Sequence, residues 1–246
     1  MRIVMNALIV SVALHVPAAA GEVTIEVEGG ILLPGYIDVR IPGDTGTGFS
    51  MTDDLSADST GYWRLRAGVR FGERHALVFE AAPVTVESSG TIGRDVDFAG
   101  KAFLVGTPLR GTYQFNTYRL AYRYDLRTDT DSRSALGGTL LVRDAVIRLV
   151  DSGGQAAEDS NVGLVPLVGF EYERRIRGDW WFALDGNALA APQGRAEDVF
   201  VGARWSPEPS KRLSFGYRII EGGADNDEVY TFALFSHIAV AAAFRF

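Results

Sequence analysis

The chain of 246 residues has no cysteine, three methionines and three histidines. Beyond its first twenty residues it has no apolar run long enough to cross a membrane as a helix. The missing cysteine excludes disulfides, thiol catalysis, zinc–thiolate centres and a lipoprotein anchor, and suits an oxidising compartment. Cationic charge is also short: 24 Lys and Arg stand against 31 Asp and Glu, a formal net charge of -7 that gives no support to a nucleic-acid partner. Mean hydropathy is near zero, a value that does not argue against strands in lipid, because only alternate residues of such a strand face hydrocarbon. Helical periodicity is lacking throughout the mature chain, and the length alone fits one large domain or two small ones.

Residues 1–20 have the layout of a secretory signal, with Arg2 ahead of the apolar core Met5 to Val16 and the small-residue run Pro17-Ala18-Ala19-Ala20. The expected mature domain is 21–246. From Glu22 onward apolar and polar residues alternate with a period of two, broken by polar turns. The clearest case is Tyr62 to Phe71, with Trp63, Leu65, Ala67, Val69 and Phe71 on one face and Arg64, Arg66, Gly68 and Arg70 on the other. Further strands are expected over 23–41, 76–87, 113–126, 135–150, 162–176, 180–190, 198–205, 212–221 and 229–246, about ten in all with eight as the alternative. Gly29-Gly30 and Pro34-Gly35 mark expected bulges or bends in the first strand, and Pro83 and Pro166 read as bulge or edge features.

The last strand, VYTFALFSHIAVAAAFRF, puts Tyr230, Phe232, Leu234, Ser236, Ile238, Val240, Ala242, Phe244 and Phe246 on one nearly apolar face. Such a strand ending on an aromatic resembles the closing strand of a bacterial outer-membrane β-barrel, in which the terminal Phe is read by the assembly machinery. The resemblance implies an all-β antiparallel transmembrane barrel in the outer membrane, monomeric, with membrane lipid, lipopolysaccharide and the barrel-assembly machinery as partners and no cofactor. With Phe246 at the periplasmic rim, the stretches 42–60 and 88–111 become outer loops and the tight turns at 72–75 and 177–179 inner ones. Asp44, Asp53, Asp54, Asp58, Asp95, Asp97, Asp151, Glu158, Asp159, Glu197, Asp225, Asp227 and Glu228 then lie outside, with two readings, merely solvated loops or carboxylates that share divalent cations. Trp63, Trp180, Trp205, Tyr172, Tyr230, Phe244 and Phe246 are the expected interface girdles. Leu77 to Val86, LVFEAAPVTV, is similar to the third strand of OmpW-type barrels, which implies passage of small hydrophobic molecules.

By strand parity Arg64, Arg66, Arg70, Glu80, Arg119, Arg123, Glu171, Glu173, Asp185, Asn187, Arg204, Arg218, His237 and Arg245 point into the lumen. Two readings follow: a static ionic plug, or a narrow polar path for small solutes in a porin-like protein. An enzymatic alternative is a lipid-modifying hydrolase of the lipid A deacylase kind using His237, the one strand histidine. Ser236, its neighbour, faces the opposite side, and the residue across the hairpin is expected to be Ser214 or Ile220. An omptin-like protease would need a histidine beside paired aspartates. Asp95 with Asp97, or Asp225 with Asp227, has the carboxylate spacing, but no Asp-x-His pair occurs. The run Asp225-Asn226-Asp227-Glu228 lacks the glycine and distal glutamate of a calcium loop and reads as an acidic turn.

Overall fold

The computed structural model describes residues 21–192 and 194–246; the expected signal segment 1–20 lies outside the described residues. Ten antiparallel strands close into a barrel: β1 Val23–Arg40, β2 Thr60–Phe71, β3 in two segments (His75–Ala82 and Thr85–Thr91), β4 Pro108–Thr128, β5 Ser132–Asp151, β6 Ala156–Arg177, β7 Trp180–Ala191, β8 Gly194–Glu208, β9 Lys211–Asp225 and β10 Tyr230–Arg245. The ring is shut by β10 against β1, in register from Thr24 opposite Arg245 to Arg40 opposite Tyr230. Val23 and Phe246 exchange backbone hydrogen bonds of 3.1 and 2.8 Å at the rim. Closure leaves no open sheet edge between first and last strand, the condition for a sheet in hydrocarbon.

The period of two decides which way each residue faces. On β10, Thr231, Ala233, Phe235, His237, Ala239, Ala241 and Ala243 are buried inside, while Ile238, Val240 and Phe244 are about half exposed outside. The outer faces of the other strands continue this belt with Val27, Ile31, Trp63, Phe79, Leu120, Leu136, Leu140 and Phe215. An apolar surface encircling the molecule at this scale suits a hydrocarbon solvent rather than water.

Both termini share one rim with the short turns 72–74, 129–131, 178–179 and 209–210. Gly72 and Gly178 hold φ of 58° and 55° there, where a Cβ would be strained. Asp129 closes its turn by accepting from the backbone of Asp131 and Ser132; these bonds and Arg127 hold its carboxyl near about 2.

At the opposite rim, only the first two connections are long. The expected outer loops 151–161, 191–197 and 222–228 shrink, because β6 begins at Ala156, β8 at Gly194, and β9 ends at Asp225. Glu158, Asp159 and Glu197 interrupt the apolar alternation in these strand ends. In the turn after β9, Asn226 accepts from the amides of Glu228 and Val229.

The two long stretches are packed rather than loose. Phe49, Met51 and Leu55 from the first meet Ile92, Val96, Phe98 and Phe103 from the second in a buried cluster continuous with Val86, Leu109 and Leu149 of the barrel. Phe49–Ser50 pairs with β1, and Val96–Phe98 pairs with Lys101–Phe103. Of the two bulges expected in β1, the register shifts only at Pro34/Tyr36, and that shift turns Ile37 and Val39 inward. Trp63 sits beside Gly29, three residues from the outer end of β2, and Trp180 and Trp205 pack at the opposite rim with ring centroids 6.3 Å apart.

A closed barrel resists detergent until heated. The refolded protein is expected to migrate faster in an unboiled than in a boiled gel lane; equal mobility would contradict the closed ring.

Candidate functional site

The inward charges meet at mid-height in a continuous network. Its centre is Asp198 of β8. One of its carboxylate oxygens accepts from Arg64 of β2 through Nη1 and Nη2, both at 3.0 Å, and from Arg119 of β4; the other accepts from Arg218 of β9 at 2.6 Å. In a ten-strand ring β8 stands opposite β3, so the bonds to the strands flanking β3 cross the lumen. Glu80 of β3 accepts from Arg64 at 2.7 Å and Arg119 at 2.8 Å. Glu28 of β1 takes Arg218 through both oxygens, at 3.0 and 2.8 Å, and also accepts from Tyr62.

Toward the terminal rim a second layer joins Arg204 to Asp185 and Glu173, Arg212 to Glu173, and Arg66 to Glu80, Glu26 and Asp185. A third joins Arg133 to Glu171 and Asp125, Arg70 to Asp125, and Arg123 to Asn187 and Thr139. The guanidinium of Arg123 lies flat on Gly169, where an added Cβ would come within 2.3 Å of it. Arginines and carboxylates are nearly matched in number, and Arg64, Arg218 and Asp198 are each no more than 2% exposed. A buried set of this kind is held by mutual satisfaction: removing one member leaves the others as unpaired charge in a low-dielectric interior.

Of the residues assigned to the lumen from the sequence, Arg64, Glu80, Arg119, Arg123, Glu173, Asp185, Asn187, Arg204, Arg218 and His237 are buried, and Arg66, Arg70, Glu171 and Arg245 line the space toward the rim. Parity reasoning missed Glu26, Glu28, Asp125, Arg133, Asp198 and Arg212. Glu26 and Glu28 share the inward parity of Thr24 on β1, and Asp198 that of Arg204, so the same alternation carried the signal. What it does not carry is which strands meet across the lumen.

His237 is fully buried opposite Arg218, not Ser214 or Ile220. Its Nδ1 lies 3.4 Å from the Arg218 carbonyl and its ring packs edge-on to Tyr62, with centroids 4.5 Å apart. Among the described residues no serine or carboxylate hydrogen-bonds it. Ser236 faces outward and bonds Tyr217 at 2.6 Å. The hydrolase reading of His237 therefore lacks both a nucleophile and access. Asp95 accepts from the Val105 amide, the Asp97 amide donates to Thr47 Oγ1, and among the described residues no histidine joins them.

Above the network the lumen turns apolar and opens into a cavity of about 390 Å³. Its floor is Arg119 and Asp198, and its walls include Tyr113, Phe115, Leu141, Val165, Leu167, Ile220, Ala233 and Phe235. Below the network a polar vestibule of about 140 Å³ reaches the terminal rim. Arg119 lines both spaces.

On the outer side Arg94 ties the packed loops together. Its Nη1 and Nη2 hold the two oxygens of Asp54 at 2.9 and 2.7 Å, and Nη2 also donates to the Gly48 carbonyl. These bonds from Arg94, with the Ser50 amide, hold the Asp54 carboxyl below its usual range.

No protein-family model matches the chain, and no curated protein is significantly similar to it. Among solved structures it is similar to Ail, the attachment invasion locus protein of Yersinia pestis (12% identity, 92% of this chain and 99% of that one, TM-score 0.40). Another is the outer membrane protease OmpT of Escherichia coli (11%, 92% and 97%, 0.49). A third is the toluene transporter TbuX of Ralstonia pickettii (9%, 92% and 90%, 0.35). Likenesses this distant carry nothing about activity; the barrel stands on its own strand register.

Two outcomes follow from these geometries. Asp198→Asn strands three arginines and should cost about 3–5 kcal/mol, read from urea unfolding in lipid vesicles, whereas Glu208→Gln in the exposed pair with Lys211 should cost under ~1 kcal/mol. Because the Asp54 value is lowered on folding, the contribution of its pair is complete above the ordinary aspartate value of about 3.9 and is lost as pH falls through the folded value. Protease access to loop 92–107 should rise over that acid range, and Arg94→Gln should abolish this pH dependence.

Proposed function

We propose that this protein is an outer-membrane barrel that binds a small apolar molecule in the outer half of its lumen, with the charged layer as a seal. The observation that carries the reading is the juxtaposition of an apolar cavity with an ionic floor whose ion pairs cross the lumen. A cavity of this volume lies in the range that small-molecule sites occupy, and its surface is mostly apolar, with Arg119 and Asp198 at its floor and Arg143, Arg195, Glu197 and Glu221 as further charged members of its lining. The small-solute pore weighed from the sequence needs an aqueous path past Arg64, Arg119 and Arg218, but their hydrogen bonds to Asp198, Glu80 and Glu28 span that section. Entry into the cavity is thus separated from exit to the periplasm.

The membrane assignment rests on the belt of exposed apolar residues and on closure of the ring. In this reading the signal segment delivers the chain to the periplasm, β10 with Phe246 is the element offered to the assembly machinery, and the outer surface contacts lipid and lipopolysaccharide as a monomer.

The folded protein in vesicles should enhance the fluorescence of 1-N-phenylnaphthylamine saturably. Ala233→Trp or Leu141→Trp, each projecting into the cavity, should weaken that binding at least about tenfold while keeping heat-modifiable mobility. Unchanged affinity in both variants would remove the cavity as the binding site.

A further inference from the structure

The wall beside this cavity is incomplete. β6 runs from Ala156 to Arg177 and pairs with β5 nearly throughout, yet its pairing with β7 ends at Val168 opposite Ala188. Twelve residues of β6, 156–167, therefore have no partner on that side, because β7 stops at Ala191 and turns at once into β8. Pro166 stands two residues beyond the last rung; without an N–H it cannot support a full ladder there.

Three side chains show that the gap opens the cavity to the outside. Leu189 has inward parity and would face Leu167 if the ladder continued, yet it is 37% exposed. Leu164 and Pro166 have outward parity and nonetheless line the cavity alongside the inward Val165 and Leu167. A cavity touching both faces of one strand passes around that strand's edge. The β6 edge of the opening is apolar, with Leu164 at 65% and Val162 at 71% exposure, while the facing edge carries Arg195 and Glu197 beside the end of β7. Unpaired backbone at hydrocarbon depth is tolerated where it lines a cavity.

The cavity also holds a cation with no carboxylate partner. Arg143 of β5 faces inward across from Gly163 of β6 and donates from Nη2 to Asn161 at 2.7 Å, but among the described residues it makes no ion pair. By contrast Arg195, on the other side of the opening, is held by both oxygens of Glu221.

We propose that the β6–β7 gap is a lipid-side portal that admits a single-chain amphiphile with an anionic head, its chain in the apolar cavity and its head at Arg143. The proposal rests on the apolar-binding reading above and adds the route and the ligand class. An uncharged molecule would leave Arg143 unanswered, and a two-chain lipid exceeds a cavity of about 390 Å³. The surrounding leaflet is the source, because the β6 edge that the ligand must cross is apolar on its outer face at Val162, Leu164 and Val168.

The chain has no cysteine, so a staple can be placed without background. Continuing the register from Val168 opposite Ala188 would set Val165 opposite Ala191. Val165→Cys with Ala191→Cys, folded in nanodiscs and bridged with a short bismaleimide, tests the route; Val168→Cys with Ala188→Cys, bridged on an existing rung, is the control. Radiolabelled dodecanoic acid, supplied in the bilayer, is the probe. The unbridged variants and the bridged control should retain about one equivalent, and the bridged portal variant at least tenfold less. Equal retention in the bridged and unbridged portal variant overturns the portal. Arg143→Gln should lower retention of dodecanoic acid about tenfold and leave dodecanol unchanged, and Arg143→Lys should restore the acid; parallel changes in acid and alcohol overturn the anionic class. Binding of 1-N-phenylnaphthylamine without retention of the acid overturns this inference alone, whereas absence of both overturns the apolar-binding reading beneath it.

Discussion

Three arginines from three strands converge on the carboxylate of Asp198, and the rest of the interior is arranged around that contact. Asp198 is held by Arg64, Arg119 and Arg218, and each of these is answered in turn by Glu80 or Glu28. Charges this buried persist only when their geometry is complete. The contact therefore sets which strands stand opposite each other, and it divides the lumen. Above it side chains become apolar and leave space; below it they stay ionic as far as the rim that carries Val23 and Phe246.

The upper half owes its character to unequal strand lengths. β5 and β6 rise well beyond β7, and the two-residue connection at 192–193 sets the height of the low wall. On the opposite side the bulge at Pro34 turns Ile37 and Val39 inward, and the packed stretches carrying Phe49, Met51, Phe98 and Phe103 stand over β1 to β4. The outer end is thus roofed by packed loops on one side and indented on the other. A symmetric pore has no physical reason for that arrangement, whereas a site loaded from one side does.

Much of the architecture was legible because a barrel strand writes its environment with a period of two. The apolar face of β10 and the alternating arginines of β2 placed the strands and the direction in which their two faces point. What the alternation cannot encode is register between strands or contact across the ring. Glu28 and Asp198 were on the correct face but went unread as partners of Arg218, and His237 was expected opposite Ser214 or Ile220 when it lies opposite Arg218. The outer ends of β6, β8 and β9 were read as loops, because residues such as Glu158 and Asp159 interrupt the apolar alternation there. Pro166 was read as an edge or bulge feature; that the edge opens a cavity followed only from the length of its neighbour.

The central claim is that the ionic layer centred on Asp198 closes the lumen. Single-channel recording in planar bilayers tests it most directly. The wild-type protein should give no conductance above the bare membrane, and Asp198→Ala with Glu80→Ala should produce discrete steps as the crossed bonds are lost. Stable steps in the wild-type protein, unchanged by those substitutions, would contradict the account.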